Sequence, residues 1–144
     1  MKNDKIFVEK LSEQILKLWN EGDMTVLKEV YAPDFVRYLP VDEPKAGREA
    51  MARHVSDLRT QYPDLKITIV DKIYDGQTYV SRWRFEGTDL GETESWPVPP
   101  TGNRVDFIGA NIYHLEGDKL VEEQVYYDAL GVMQQLGIIP ESAV

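Results

Sequence analysis

Two long strands near the C-terminus place the strongest constraint on how this chain folds. Residue character alternates from Arg104 to Leu115 and again from Leu120 to Tyr127, and the Gly117-Asp118 pair between them is a hairpin turn signal. Alternate residues of a strand face the same side of a sheet, so the two strands share one face. On that face the polar residues are Asn111, Tyr113, Glu123 and Tyr127. Polar groups where a purely structural sheet would be aliphatic indicate a small-molecule pocket.

Size and composition restrict the classes of protein to which the chain can belong. Its 144 residues fit a single domain, predicted to span 1–144, and the absence of cysteine excludes a disulfide framework and a thiolate metal site. The net charge of −9 repels phosphate backbones and argues against nucleic acid as a partner. The start at Met1 shows no signal-peptide pattern, and no apolar run approaches the roughly 18 residues of a membrane span. We therefore expect a cytoplasmic protein with no membrane partner.

The N-terminal part of the chain has a helical period. Apolar residues recur at helical spacing between Asp4 and Glu21, and Asp23 is placed to cap a short second helix that runs through Tyr31. A short β-capable segment follows from Phe35 to Leu39. A further helix is predicted from about Arg48 to Gln61, because Pro63 stops the pattern.

From Leu65 onward the period changes to two. Alternating residues lead up to an Asp75-Gly76 turn and continue from Tyr79 to Phe85, which predicts a first hairpin before the C-terminal one. Helices followed by two hairpins predict an α+β fold, in which the helices cover one face of a strongly bent antiparallel sheet. The expected shape is a cone with a cavity between helices and sheet.

Several short runs in this order resemble a known family. Besides NEGD...L..VYAPDF, which ends at Phe35, they are Gly47-Arg48-Glu49-Ala50, Tyr62-Pro63-Asp64-Leu65, Pro99-Pro100-Thr101-Gly102, Asp128-Ala129-Leu130-Gly131 and Gln134-Gln135-Leu136-Gly137. Together they resemble the SnoaL-like polyketide cyclases (ester cyclases) over nearly the whole chain. The resemblance implies the nuclear-transport-factor-2-like (cystatin-like) cone fold and a homo-oligomer. It also implies cofactor-free aldol ring closure on polyketide esters, with a carboxylate moving the proton.

Position by position, the resemblance is weakest where the chemistry should lie. With the last two strands anchored on their turn, the catalytic Asp of the cyclases falls on Val125, and the His that lines their pocket falls on Asn111. Their pocket Asn on the early strand corresponds to Arg37, and the aromatic residue near the end of the first helix corresponds to Trp19. A register slip of two residues would instead bring Glu123 or Tyr127 to the acid position.

Glu123 is the first candidate for catalysis. Strand alternation places Phe107, Gly109, Asn111 and Tyr113 on one face, opposite Val121, Glu123, Val125 and Tyr127. Burial among apolar walls would favour proton uptake by the Glu123 carboxylate from a carbon beside a carbonyl, while Tyr113, Tyr127 or Asn111 donates to the enolate oxygen. The alternative is that Glu123 faces solvent or pairs with Arg82, Arg84 or Arg104.

Three other polar residues have open roles. His54 borders the apolar face of its helix and is a candidate proton shuttle, or a helix-flank histidine bonded to backbone or water. Asp128 is a second candidate acid, although its position directly before a helix favours capping. Arg37 could hold a carboxylate or phosphate at the mouth of the cone, or form an exposed ion pair beside Asp34. His114 should face away from the pocket.

Aromatic and apolar residues complete the predicted pocket and suggest a dimer. The pocket-lining residues are predicted to be Trp19, Arg37, Trp83, Phe107, Asn111, Tyr113, Val125 and Tyr127. Trp96 stands in a long loop where no period demands an apolar group, so it would cover the cavity as a lid or pack into a partner subunit. The outer sheet face would expose apolar side chains in a monomer, namely those of Ile108, Ala110, Ile112 and part of Tyr126. This predicts a homodimer packed sheet to sheet.

Two functions follow from the sequence. The first is a SnoaL-like enzyme that cyclises or isomerises a small hydrophobic carbonyl compound by acid–base chemistry, with no cofactor and no metal site. Nothing in the chain has metal-ligand spacing, and no phosphate-binding glycine motif occurs. The second is a non-catalytic ligand-binding or oligomerisation module of the same fold, which Val125 and Asn111 favour because neither side chain transfers protons.

Overall fold

The computed structural model describes residues 2–140, with side chains from residue 4 onward. Its helices are α1 (Lys2–Leu16), α2 (Thr25–Val30), α3 (Arg48–Gln61) and α4 (Ala129–Gln135), and a π-helical turn (Lys17–Glu21) continues α1. Its strands are β1 (Tyr31–Tyr38), β2 (Lys45–Ala46), β3 (Lys66–Tyr74), β4 (Thr78–Thr88), β5 (Arg104–Glu116) and β6 (Lys119–Tyr127). These elements confirm the α+β class, and α3 has the bounds predicted from its period.

All six strands belong to one strongly curved sheet, in the order β2-β1-β6-β5-β4-β3. The sheet forms the wall of a cone but does not close, since β2 and β3 remain as its two edges. The pairings from β3 to β6 are antiparallel, as the two hairpin signals predict. β1 differs, because it pairs with β6 in parallel. No turn signal marks such a pairing, since parallel strands are connected through distant segments of the chain.

β1 begins earlier than the sequence predicted. The expected strand started at Phe35, whereas the observed one starts at Tyr31, which pairs with Leu120 of β6. The register between the strands shifts between Tyr31 and Val36, and Pro33 lies within that irregularity. Proline is tolerated there because it has no N–H to donate to the ladder.

The turn residues and one bulge set the register of the hairpins. The Asp75 carboxylate accepts hydrogen bonds from the backbone N–H groups of Gln77 and Thr78, which fixes the first turn. In the second hairpin, a shift after His114 pairs Leu115 with Leu120. Because of this bulge, Leu120 is the fully buried residue at the start of β6. Val121, which simple alternation placed on the pocket face, is only partly buried.

The core consists of two apolar clusters. The first joins α1, α2 and α3 to the sheet and includes Leu18, Met51 and Tyr79. The second joins the sheet to α4 and includes Trp83, Val125 and Leu136. No helix in the described part of the chain is long and apolar enough to cross a membrane.

A substitution at Gly109 would test how closely β5 packs against its neighbours. A Cβ added there would lie 2.5 Å from the Trp83 ring and 2.9 Å from the Tyr126 carbonyl oxygen. Gly109→Ala should therefore lower the free energy of unfolding by about 1–3 kcal/mol, because the overpacked ring and strand must shift. Denaturant titration measures this change. Ala110→Ser, on the neighbouring outer position, is the matched control and should stay within about 0.5 kcal/mol of the parent; equal stabilities of all three proteins would contradict the packing argument.

Candidate functional site

A cavity of about 380 Å³ lies between the concave face of the sheet and the helices. Its walls come from α1, α3, α4, five strands of the sheet and the 89–103 loop between β4 and β5. All eight residues that the sequence assigned to a pocket line it, as does His54. The walls are mostly apolar and aromatic, and their polar side chains include Arg37, His54 and Asn111.

Arg37 and Glu123 form an ion pair beneath the cavity surface. The parallel register of β1 and β6 places the two residues side by side, and Arg37 Nη1 donates to Glu123 Oε2 at 2.9 Å. Their side chains are 8% and 0% exposed, so each charge depends on the other. Removing either partner would leave a buried charge uncompensated. Arg37 contributes to the cavity wall, whereas Glu123 is not among the cavity-lining residues.

The observed partner of Glu123 corrects two sequence interpretations. Arg82, Arg84 and Arg104 were weighed as partners, but they pair with Asp71, Asp106 and Glu86 respectively. The interpretation of Arg37 as an exposed ion pair beside Asp34 is likewise wrong, because Arg37 is 7% exposed and bonds across to β6. Both errors have one physical source, the long-range β1–β6 pairing.

Asn111 connects this ion pair to the aromatic wall. Its Nδ2 donates to Glu123 Oε2 and, at 3.3 Å, to the Tyr113 hydroxyl, while its Oδ1 accepts from Trp83 Nε1 at 2.9 Å. Both ends of the amide are therefore used, which fixes its orientation. Cross-strand pairing sets Asn111 opposite Val125 and Tyr113 opposite Glu123, the facing that the sequence predicted.

The π-helical turn brings Trp19 against the charged end of the cavity. The Arg37 guanidinium lies 4.9 Å from the centroid of the Trp19 ring, a cation–π distance. His54 of α3 meets the same indole edge to face, with ring centroids 5.8 Å apart. Trp19, Arg37 and His54 thus form one group in which a cation and an imidazole share an aromatic neighbour.

Burial keeps the His54 imidazole neutral. Desolvation is the main cause that lowers its pKa from 6.5 to about 2, and the positive charges of Arg37 and Lys45 lower it further. Its Nε2 is buried and has no hydrogen-bond partner among the described residues. At neutral pH the free protein therefore holds an unprotonated imidazole beside a fixed cation.

The tyrosine hydroxyls around the cavity are also neutral. Burial raises the pKa of Tyr113 well above its ordinary value, and the negative charge of Glu123 adds to this effect. Burial likewise raises the pKa of Tyr127 and of Tyr62. These hydroxyls can donate hydrogen bonds to a ligand oxygen but carry no charge at neutral pH.

Asp128 caps α4. Its Oδ1 accepts from the backbone N–H of Gly131 at 2.9 Å, and its side chain is not among the cavity-lining groups. This geometry is the capping alternative that the sequence favoured. Among residues 2–140, no three His, Asp or Glu side chains come together as ligands of a metal ion.

Sequence reasoning missed several polar residues of the cavity wall, including Asp42, Asp57 and Gln61. Asp57 follows His54 by three residues, so helical spacing could have found it. Asp42 lies in a loop without any period. Trp96, left open between a lid and a partner contact, lines the cavity.

Comparison with solved structures finds proteins of similar overall fold. TsrD from Streptomyces laurentii is 27% identical and has a TM-score of 0.82, with 94% of this chain and 98% of that chain covered. IdmH, a putative polyketide cyclase from Streptomyces antibioticus, is 26% identical with a TM-score of 0.74, covering 90% and 97%. A protein of ketosteroid isomerase-like fold from Catenulispora acidiphila shares the fold at 16% identity and a TM-score of 0.73, covering 93% and 96%.

The family is determined by sequence. No curated protein matches the chain. The family model of the SnoaL-like polyketide cyclases matches residues 9–136. The match begins within α1 and extends past the end of α4. This protein therefore belongs to the SnoaL-like polyketide cyclase family.

Proposed function

We propose that this protein is a cofactor-independent acid–base enzyme that binds a hydrophobic carbonyl compound in the cavity and cyclises or isomerises it. The observation that supports this proposal is the placement of a buried guanidinium, Arg37, and the neutral imidazole of His54 against the same Trp19 ring on a mostly apolar wall. A fixed cation in a site of low dielectric stabilises a developing oxyanion. The pKa of about 2 makes the His54 imidazole a weak base in the free protein, so it accepts a proton only as a neighbouring oxyanion forms and offsets the nearby cations.

The proposed reaction begins with the substrate carbonyl oxygen against Arg37. His54 takes a proton from the adjacent carbon, and the electron pair of that C–H bond moves into an enolate whose oxygen faces the guanidinium. The imidazolium forms only as the enolate anion forms, so the new charges compensate each other despite the nearby cations. In an aldol-type closure, the enolate carbon then attacks a second carbonyl of the same molecule, whose oxygen takes up the proton.

In this scheme Glu123 is a positioning residue rather than the base. Its Oε2 is bound by both Arg37 and Asn111, and Arg37 and Asn111 separate it from the cavity. Its charge holds the guanidinium in place and compensates its burial. The sequence hypothesis of direct proton transfer by Glu123 would require its buried Oε1, which has no hydrogen-bond partner among the described residues, to reach a cavity that the side chain does not line.

Val125 favours a second candidate function. It lines the cavity at the position of the family's acid and cannot transfer a proton. The same cone would then bind a hydrophobic carbonyl compound without turning it over. The two functions differ in one measurable property, the exchange of protons at carbon.

Hydrogen–deuterium exchange at the carbon beside the carbonyl of 1-tetralone, followed by NMR in D₂O, distinguishes these functions. The parent protein should accelerate the exchange, and His54→Gln should lower the rate at least tenfold, because general acid–base groups contribute about 10²–10⁴-fold. The matched control is His114→Gln, a substitution of the half-exposed histidine on the outer face. Binding of 1-tetralone without exchange would support the binding module, and full activity in His54→Gln would exclude His54 as the base.

The low pKa of His54 also predicts how stability depends on pH. The unfolded imidazole takes up a proton below about pH 6.5, whereas the folded one does not until about pH 2, so stability falls as the pH falls below 6.5. At about pH 5.5 this residue should account for a loss on the order of 1 kcal/mol relative to neutral pH. Urea titrations of the parent and His54→Gln at both pH values measure it. The same acid loss in both proteins would show that His54 is protonated when folded.

We also propose that the outer sheet face binds a second copy of the chain. Ile108 is 48% exposed and Tyr126 is 55% exposed, and they lie close together on the neighbouring strands β5 and β6. Contiguous exposed apolar side chains of this size are typical of interaction surfaces. Self-pairing would cover both residues at once, since a two-fold axis brings the same patch together from each copy.

The oligomeric state tests this dimer. The parent protein should have twice the chain mass in light scattering coupled to size exclusion, and Ile108→Glu should shift it to the monomer mass, because a buried carboxylate at the interface costs several kcal/mol. Ile6→Glu is the control, since Ile6 is 69% exposed on α1, away from the sheet face. A parent protein of monomer mass would refute the proposal.

A further inference from the structure

The π-helical turn that carries Trp19 ends with two carbonyl groups that a side chain of another helix satisfies. The last carbonyl oxygens of a helix have no partner within the helix itself. The N–H groups of the two residues after the turn bond to the carbonyl oxygens of Leu18 and Lys17. The carbonyl oxygens of Trp19 and Asn20 bond instead to the guanidinium of Arg59.

Arg59 of α3 contacts both carbonyl groups through one nitrogen. Its Nη1 donates to the Trp19 oxygen at 2.9 Å and to the Asn20 oxygen at 2.7 Å. Its charge strengthens these bonds, and a cation is favourable at the C-terminal end of a helix. Gly22 leaves room for the guanidinium, because an added Cβ would lie 2.8 Å from Arg59 Nε, and its φ of 70° is one that glycine adopts readily. The main chain of the turn is therefore fastened to α3.

Asn20 fastens the same turn to the sheet. Its Nδ2 donates to the Ile67 carbonyl oxygen at 2.9 Å, and its Oδ1 accepts from the Ile67 N–H at 2.8 Å. β3 is an edge of the sheet, so the side-chain amide takes the place that a further strand would have at Ile67. The turn thus bridges the sheet and α3, and its main chain is bonded to α3 through Arg59.

Trp19 extends from this turn to the two charged or titratable groups of the candidate site. Its buried ring contacts Arg37 of β1 and His54 of α3. Its carbonyl oxygen is bound by Arg59, which lies on the same helix as His54. Arg59 is not among the cavity-lining residues, so its influence on the cavity must pass through the turn.

We infer that Arg59 is a positioning residue that holds the Trp19 ring against His54 through the main chain of the π-helical turn. Without the guanidinium, the turn would stay on the sheet with Asn20, and the Trp19 ring would shift relative to His54. The inference rests on the proposed function only for its effect on catalysis. In the proposed reaction, the shift would change the distance between the Arg37 cation and the imidazole.

NMR of the histidine rings measures this contact. The chain has two histidines, so comparison with His54→Gln assigns their ring signals. The ring current of Trp19 displaces the His54 signal, and Trp19→Leu gives the position of that signal without the ring. Arg59→Met, which keeps a long side chain but removes the donors, should move the His54 signal toward that position. The signal of the half-exposed His114 should stay in place, which shows that the sheet is folded.

Arg59→Lys and Arg53→Met are the matched controls. Lysine keeps a charged donor, so Arg59→Lys should restore most of the parent position of the His54 signal. Arg53 is exposed on the same helix and pairs with Glu49, so its replacement should leave the signal unchanged. In the Trp19→Leu protein, Arg59→Met should have no further effect, because the ring through which it acts is absent. An unchanged His54 signal in Arg59→Met, or an equal shift with and without the Trp19 ring, would overturn the inference.

Proton exchange in 1-tetralone measures the catalytic effect of Arg59. Arg59→Met should lower the exchange rate at saturating tetralone about tenfold with little change in KM, because small displacements of reacting groups have large effects on rate. A displaced His54 signal with a full exchange rate would overturn the role of Arg59 in catalysis. A parent protein without exchange would refute the proposed function, and the histidine signals would still decide whether Arg59 positions Trp19.

Discussion

The ion pair between Arg37 and Glu123 is the interaction on which the candidate site depends. Two opposite charges are held in a sheet interior where neither would be stable alone. The β1–β6 pairing that joins them is parallel and links residues 86 positions apart. A shift of one residue along β1 would place Val36 or Tyr38 beside Glu123. The carboxylate would then lie next to a side chain that carries no positive charge. The register of one strand pair therefore determines whether the cavity has a cation at all.

The rest of the polar group follows from that pair. Asn111 can bridge Glu123 and Trp83 because cross-strand pairing in β4, β5 and β6 lines up their side chains on the concave face. The π-helical turn after α1 then supplies Trp19 as the surface on which the guanidinium rests. Such turns are frequent at functional sites because they displace a side chain from the regular helical face.

Local patterns in the sequence predicted what depends on local structure. The period of α3, the two hairpin turns and the shared face of Asn111, Tyr113, Glu123 and Tyr127 could all be derived, since each depends on neighbouring residues or on one turn. The partner of Glu123 could not be derived, because alternation describes the face of a strand but not which strand lies next to it. The early start of β1 and the displaced Val121 were missed for a related reason: bulges change alternation without a distinctive residue type.

The candidate site is divided between the sheet and a helix, so a ligand in the cavity would contact both. Arg37 is fixed in the sheet, whereas His54 is on α3, and the 89–103 loop with Trp96 is bound to that helix through Asp57 and Asp89. Helix and loop thus form one unit that faces the sheet across the cavity. A ligand that contacts both units would connect them, so in the proposed reaction its binding energy would be used to set the distance between the Arg37 cation and the His54 imidazole. Val125 offers the cavity no group that transfers protons, so in the proposed reaction proton transfer depends on the distance between Arg37 and His54.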